Sequence, residues 1–222
     1  MNVIAAVGMA AVEASAFSVF MVGDSHVCSK IYPETVEEMI LDADPEIEFG
    51  WWGKIGATFE TYNESGEYMS HAYDARPEVL IVHLGTNDSY SRQFSKELFL
   101  RHVGEFTDHV ESHLPDCRVV FITPFYNKLK DGSVNHNTRH CADALLEFVK
   151  ERRNTFVVDN NADYGMHFLN HASTLMRHDH VHLTVEGYRE LGEQVGEALV
   201  DNSELWMIEE PPYLGELTDR ND

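Results

Sequence analysis

Short apolar runs separated by stretches of helical periodicity mark the chain from about residue 17 to residue 200. The first run, Phe17-Ser18-Val19-Phe20-Met21-Val22, ends at Gly23-Asp24-Ser25. A weaker one covers Ile47 to Trp51, and the clearest, Val79-Leu80-Ile81-Val82-His83-Leu84, stops at Gly85-Thr86-Asn87-Asp88. Val119-Val120-Phe121-Ile122, which breaks at Thr123-Pro124, and Thr155-Phe156-Val157-Val158 complete five candidate strands. Near-continuous apolar runs of this length belong to strands covered on both faces. Between them, Pro33 to Leu41, Phe94 to Leu114, Thr138 to Arg152 and Val185 to Leu199 carry helical spacing. Strands alternating with helices predict an α/β domain with an open parallel sheet, whose ligand site lies outside the carboxyl ends of the strands. The expected organisation is a short arm or helix at 1–16, the domain at 17–200, and an acidic tail at 201–222 that contains Pro211-Pro212 and no regular element after about Trp206.

Composition narrows the class. At 222 residues and 43% hydrophobic the chain makes one domain with an ample core. Sixteen basic against 38 acidic residues leave a net charge of -22. That surface repels polyanions, so nucleic acid and anionic membranes are not expected partners. Cys28, Cys117 and Cys141 are odd in number and lack CxxC pairing, which reads as packing thiols rather than disulfides or a zinc site. No run reaches the ~18 apolar residues of a membrane span. Met1 to Ala16 is apolar and ends in Ala14-Ser15-Ala16, but it lacks the basic start of a signal peptide, which favours the cytoplasm over secretion.

The candidate chemistry falls just past strands. Ser25 lies at a strand-to-helix turn, where a hydroxyl is presented at the sheet's edge, although such a triplet also serves as a helix cap. A serine needs a base within hydrogen-bond reach and an acid to orient that base. His178-Asp179-His180-Val181-His182 precedes the last helix, and Asp179 stands three residues before His182, a spacing that lets the carboxylate fold back onto the imidazole. The same stretch also suits a polar loop that caps the helix at Thr184. Asn87 can donate a side-chain amide to an oxyanion, and Gly56 allows close backbone approach and can donate its N–H.

With these residues in this order, the sequence resembles the SGNH hydrolases, also called the GDSL esterase/lipase family. Ser25 stands in the Gly-Asp-Ser block, Gly56 in the glycine block, Asn87 in Gly-x-Asn-Asp and His182 in Asp-x-x-His. The resemblance implies a three-layer α/β/α, flavodoxin-like fold with five parallel strands. It also implies a triad of Ser25, His182 and Asp179, with an oxyanion hole from the Ser25 N–H, the Gly56 N–H and the Asn87 side chain. The activity implied is carboxylic ester hydrolysis through an acyl-enzyme, on a short acyl chain such as an acetyl group of a glycan or cell-envelope polymer, with no metal or cofactor.

His26 departs from the family's usual Leu, and variants with His there resemble members acting on acylated glycans, so His26 is expected near the substrate. Trp52, beside Trp51 and just ahead of Gly56, is expected to stack on a sugar or line an acyl pocket. Two other readings use the same residues. Asp24/His26 and His180/His182 could ligate metal in a phosphoesterase, or the scaffold could bind glycan without catalysis.

Overall fold

The computed structural model describes residues 17–161 and 166–206. The expected arm at 1–16 and the tail beyond Trp206 lie outside the described residues. All five expected strands form: β1 Ser18–Gly23, β2 Glu48–Gly53, β3 Val79–His83, β4 Arg118–Ile122 and β5 Thr155–Val158. Each pairs in parallel with its neighbour, in the order β2-β1-β3-β4-β5. Central β3 is buried at every position, whereas edge strand β2 is only partly covered, which is why its sequence signal is the weakest.

The pleat sorts side chains between two cores. Val19, Met21, Ile81, Val120 and Ile122 face the helices α1 (Ile31–Ala43) and α9 (Val185–Val200). Val22, Leu80, Val82, Val119 and Phe121 face the other layer. That layer holds α2 (Phe59–Glu64), α3 (Gly66–Ala75), α5 (Lys96–His113) and α6 (Asn137–Phe148). Sheet and two helical layers give the three-layer α/β/α architecture. Helices α2 and α3 answer no expected element. Their buried residues Phe59, Tyr62, Met69 and Ala72 are spaced for a helix but interrupted at Ser65-Gly66, which splits one pattern into two short pieces. Short turns α4 (Thr86–Ser89), α7 (His167–Asn170) and α8 (Ala172–Leu175) fill connections.

The packed domain continues past residue 200. In α10 (Ser203–Trp206) Leu205 is fully buried, and the Trp206 indole donates to the Leu199 carbonyl at 2.9 Å while its ring rests on Phe17. All three cysteines are free thiols, with Cys117 and Cys141 inside the second core. Among the described residues no helix is long and apolar enough to cross a membrane.

The strand order reverses between β1 and β3, and the register brings their ends level: Gly23 pairs with Gly53 on one side and His83 on the other. Segments leaving β1, β2 and β3 therefore emerge side by side at the switch point where open α/β sheets place their ligands.

Candidate active site

Beyond Gly23 the chain turns at once. Asp24 accepts the His26 N–H on Oδ1 at 2.9 Å, and Asp24 and His26 are both fully buried, so of the three residues only Ser25 reaches the surface. A 3-10 turn, Val27–Ser29, separates Ser25 from α1, so the serine does not sit on the α-helix N-terminus itself.

The imidazole expected to serve Ser25 arrives from 157 positions away. His182 Nε2 lies 2.9 Å from Ser25 Oγ, and His182 Nδ1 lies 2.9 Å from Asp179 Oδ2. Asp179 Oδ1 accepts the N–H groups of Val181 and His182, each at 2.9 Å, so the loop is wound around the carboxylate. His180 takes a left-handed backbone (φ 54°), and its carbonyl accepts the Lys128 N–H. The Arg177 N–H closes the loop on the His182 carbonyl at 2.8 Å. Thr184 caps α9 through the Gly187 N–H, so the capping role and the His–Asp pairing are both realised in one loop. A Cβ on Gly187 would lie 2.2 Å from the Leu175 carbonyl oxygen, so only glycine lets α9 start this close to the segment that leads into the loop.

Burial disfavours charge on Asp179, but the bonds from the His182 ring and from the His182 and Val181 N–H groups outweigh it and hold its pKa down to about 2. The carboxylate is thus ionised near neutral pH, and an ionised oxygen 2.9 Å from Nδ1 favours the Nδ1–H tautomer of the imidazole.

Gly56 is exposed with φ 79°, a conformation that favours glycine, and the space around its Cα is open. Among the described residues neither its N–H nor that of Ser25 makes a hydrogen bond. Asn87, in α4 directly after β3, donates from Nδ2 to Asp24 Oδ2 at 3.1 Å and to the Ala57 carbonyl at 3.0 Å. Its amide therefore ties together the three segments that leave β1, β2 and β3.

Two expected substrate contacts face elsewhere. His26 is 0% exposed, packed between His83, Phe125 and Tyr188, because the Asp24 turn directs it inward while Ser25 points out. Trp52 stacks on His71 and contacts Tyr62 and Tyr68, since the pleat of β2 aims it at α2 and α3 rather than at the end of the sheet. The metal reading also loses its ligands. Asp24 is occupied by His26 and Asn87, and among the described residues no three His, Cys, Asp or Glu side chains form a group suited to a metal ion.

Asp24 and Asp88 were not anticipated as builders of the site. Asp88 Oδ1 receives the Phe59 N–H at 3.2 Å and so anchors the start of α2. For Asp24 the available signal was an acidic residue immediately after the mostly apolar strand β1, whereas Asp88 lies in the turn α4 five residues past β3. Burial pushes Asp24 up to about 7; the His26 N–H opposes this, the charge on Asp88 adds to it, and the Asn87 amide opposes it. A carboxyl raised above its unfolded value keeps its proton in the folded chain after the unfolded chain has lost it. Its contribution to stability is therefore full near pH 4 and falls as pH rises to about 7. Relative to wild type, Asp24→Asn is expected to gain stability over that window, by up to about 4 kcal/mol in denaturant unfolding. A difference independent of pH would show Asp24 already ionised at pH 4.

A family model for the GDSL-like lipase/acylhydrolase family matches residues 37–190, a span that holds Gly56, Asn87, Asp179 and His182 and begins after Ser25. Among solved structures, one described as a GDSL-like lipase from Parabacteroides merdae superposes with a TM-score of 0.70 at 14% identity, over 83% of this chain and 95% of that one. An acetylxylan esterase from Geobacillus stearothermophilus gives 0.65 at 17% identity, over 82% and 93%. A peptidoglycan O-acetylesterase gives 0.66 at 10% identity, over 83% and 91%. No curated protein matches the sequence. With the family model matched over 37–190 of 222 residues and the same fold in these structures, the chain belongs to the GDSL-like lipase/acylhydrolase (SGNH) family of carboxylic ester hydrolases.

Proposed function

We propose that the protein is a serine esterase that removes short acyl groups, foremost acetyl, from a glycan or cell-envelope polymer. The observation that carries this is the unbroken relay from Asp179 Oδ2 through His182 to Ser25 Oγ, with 2.9 Å at each step. In this reading His182 Nε2 takes the Ser25 proton as Oγ attacks the ester carbonyl carbon. The carbonyl oxygen, now anionic, receives the Ser25 and Gly56 N–H groups and the Asn87 Nδ2, which shares a proton now held by Ala57 or Asp24. Collapse of the tetrahedral adduct breaks the bond to the alcohol, and His182 returns the proton to the leaving oxygen. Water then attacks the acyl-serine with His182 again as base, which frees the acid and restores the hydroxyl. The intact relay also favours an enzyme over a silent glycan-binding module.

The acetyl preference is supported by the neighbouring folds, an acetylxylan esterase and a peptidoglycan O-acetylesterase. His26, which is fully buried, and Trp52, which stacks on His71, carry no part of this argument. The test is hydrolysis of p-nitrophenyl acetate, butyrate and octanoate, together with acetate release from acetylated xylan and peptidoglycan. Acetate is expected to be the fastest of the three esters, with activity indifferent to EDTA. A preference for octanoate would overturn the short-acyl reading, and loss of activity to EDTA would restore the metal reading. Asn87→Ala is expected to lower kcat by roughly 10²–10³ with KM little changed. An unchanged kcat would remove Asn87 from the oxyanion hole.

A further inference from the structure

The ring of His26 is held by one polar contact. Its Nδ1 lies 3.3 Å from the Tyr188 hydroxyl, and among the described residues its Nε2 is buried without a partner. Both side chains are deeply buried, His26 at 0% and Tyr188 at 2% exposure. Their positions in the chain give this contact its interest. His26 directly follows Ser25, and Tyr188 lies in the first turns of α9, the helix that the His182 loop leads into. The Leu183 N–H, one residue after His182, faces the Tyr188 oxygen. The hydroxyl thus lies between the backbone beside the base and His26 Nδ1. The imidazole is neutral, since burial, reinforced by His83 and His182, keeps its pKa well below the usual histidine value. The His26 ring also lies 5.7 Å from the His182 ring, centroid to centroid, so it fills the floor beneath the base.

We infer that Tyr188 and His26 form a buried strap that holds the backbone beside the nucleophile against the backbone beside the base, and that both are positioning residues for the Ser25–His182 pair. This rests on the reading of Ser25 and His182 as nucleophile and base. Neither residue touches substrate, and the strap acts by setting the Nε2 to Oγ separation on which proton transfer depends. A leucine at position 26 would fill the same space but make no such link, so the departure from the family's usual residue here is a gain of connection rather than a change of pocket.

The test measures p-nitrophenyl acetate hydrolysis by Tyr188→Phe, His26→Leu, their double variant and His26→Asn, with melting temperatures for each and Ser25→Ala as control. Tyr188→Phe removes one oxygen and keeps the ring, so it decides the matter even if His26→Leu does not fold. Each single variant is expected to lose about tenfold in kcat with KM within about twofold, the mark of misalignment rather than lost binding. The double variant is expected to be no slower than the slower single, because both changes break one link. His26→Asn, whose amide can accept or donate in the place of Nδ1, is expected to recover most of the loss. A folded Tyr188→Phe with wild-type kcat, or losses that multiply in the double variant, would overturn the strap while an inactive Ser25→Ala leaves the nucleophile standing. An active Ser25→Ala would instead overturn the nucleophile and the strap with it.

Discussion

Ser25→Ala is expected to abolish ester turnover, lowering kcat for p-nitrophenyl acetate by about four to six orders of magnitude while the protein stays folded. The size follows from the chemistry. Oγ is the atom that would bond to the acyl carbon, and without it the remaining donors at Ser25, Gly56 and Asn87 stabilise only a direct attack by water. Structural survival follows from the local bonding. Ser25 is half-buried, and among the described residues its Oγ bonds to His182 Nε2 alone. The turn is instead held by Asp24, which accepts the His26 N–H and the Asn87 amide. Loss of one exposed-side hydrogen bond costs about 1 kcal/mol, a shift of about 2–4 °C in melting temperature for a chain of this size. Steady-state kinetics and a thermal melt on the same preparation check both parts. Retention of more than about one hundredth of the activity would mean that the acyl-enzyme route is not used.

Asp179→Asn is expected to cost about 10⁴ in kcat, again with the fold kept. The amide oxygen of asparagine can keep the Val181 and His182 N–H bonds that now go to Oδ1. Its nitrogen then faces His182 Nδ1, where the carboxylate oxygen stood. A donor in that place makes Nδ1 the acceptor and moves the imidazole proton to Nε2, where it points at Ser25 and cannot accept the serine proton. The loss should therefore fall on kcat, with little change in KM. A variant with near wild-type kcat would show that the loop backbone alone orients His182. The depressed pKa of Asp179 adds a stability consequence. A carboxylate held at about 2 contributes stability above its unfolded value near 4, and that contribution is lost as pH falls from about 4 to about 2. Asp179→Asn should flatten the acid limb of the unfolding profile in that window, and an unchanged limb would refute the assignment.

Much of this was legible without coordinates, for a local reason. Runs such as Val79–His83 are too apolar and too short for anything but strands covered on both faces, the edge strand Glu48–Gly53 being the weaker exception, and every helix that packs a long stripe, such as Lys96–His113, repeats its apolar residues at the period of a helix. The spacing Asp-x-x-His is likewise local: three residues of loop suffice to bring Asp179 onto the His182 ring. Less periodic pieces escaped. Helices α2 and α3 cover the second core beside the site, yet each is too short to show a stripe.

What the chain alone determined is the five strands and the long helices, their alternation and the order of the four blocks that carry Ser25, Gly56, Asn87 and His182, because periodicity and turn chemistry are properties of neighbours in sequence. Which way His26 and Trp52 face was decided only in three dimensions. Trp52 follows the pleat of β2, but which layer that face meets depends on how the strand sits in the sheet; beyond the end of a strand the alternation stops, and side-chain direction is set by whichever buried partner the turn can reach: Asp24 turns inward to Asn87 and His26 to Tyr188. The approach of His182 to Ser25 across 157 positions is of the same kind. It depends on the strand order β2-β1-β3-β4-β5 and on the packing of α9 against α1, and no pattern within either segment specifies it.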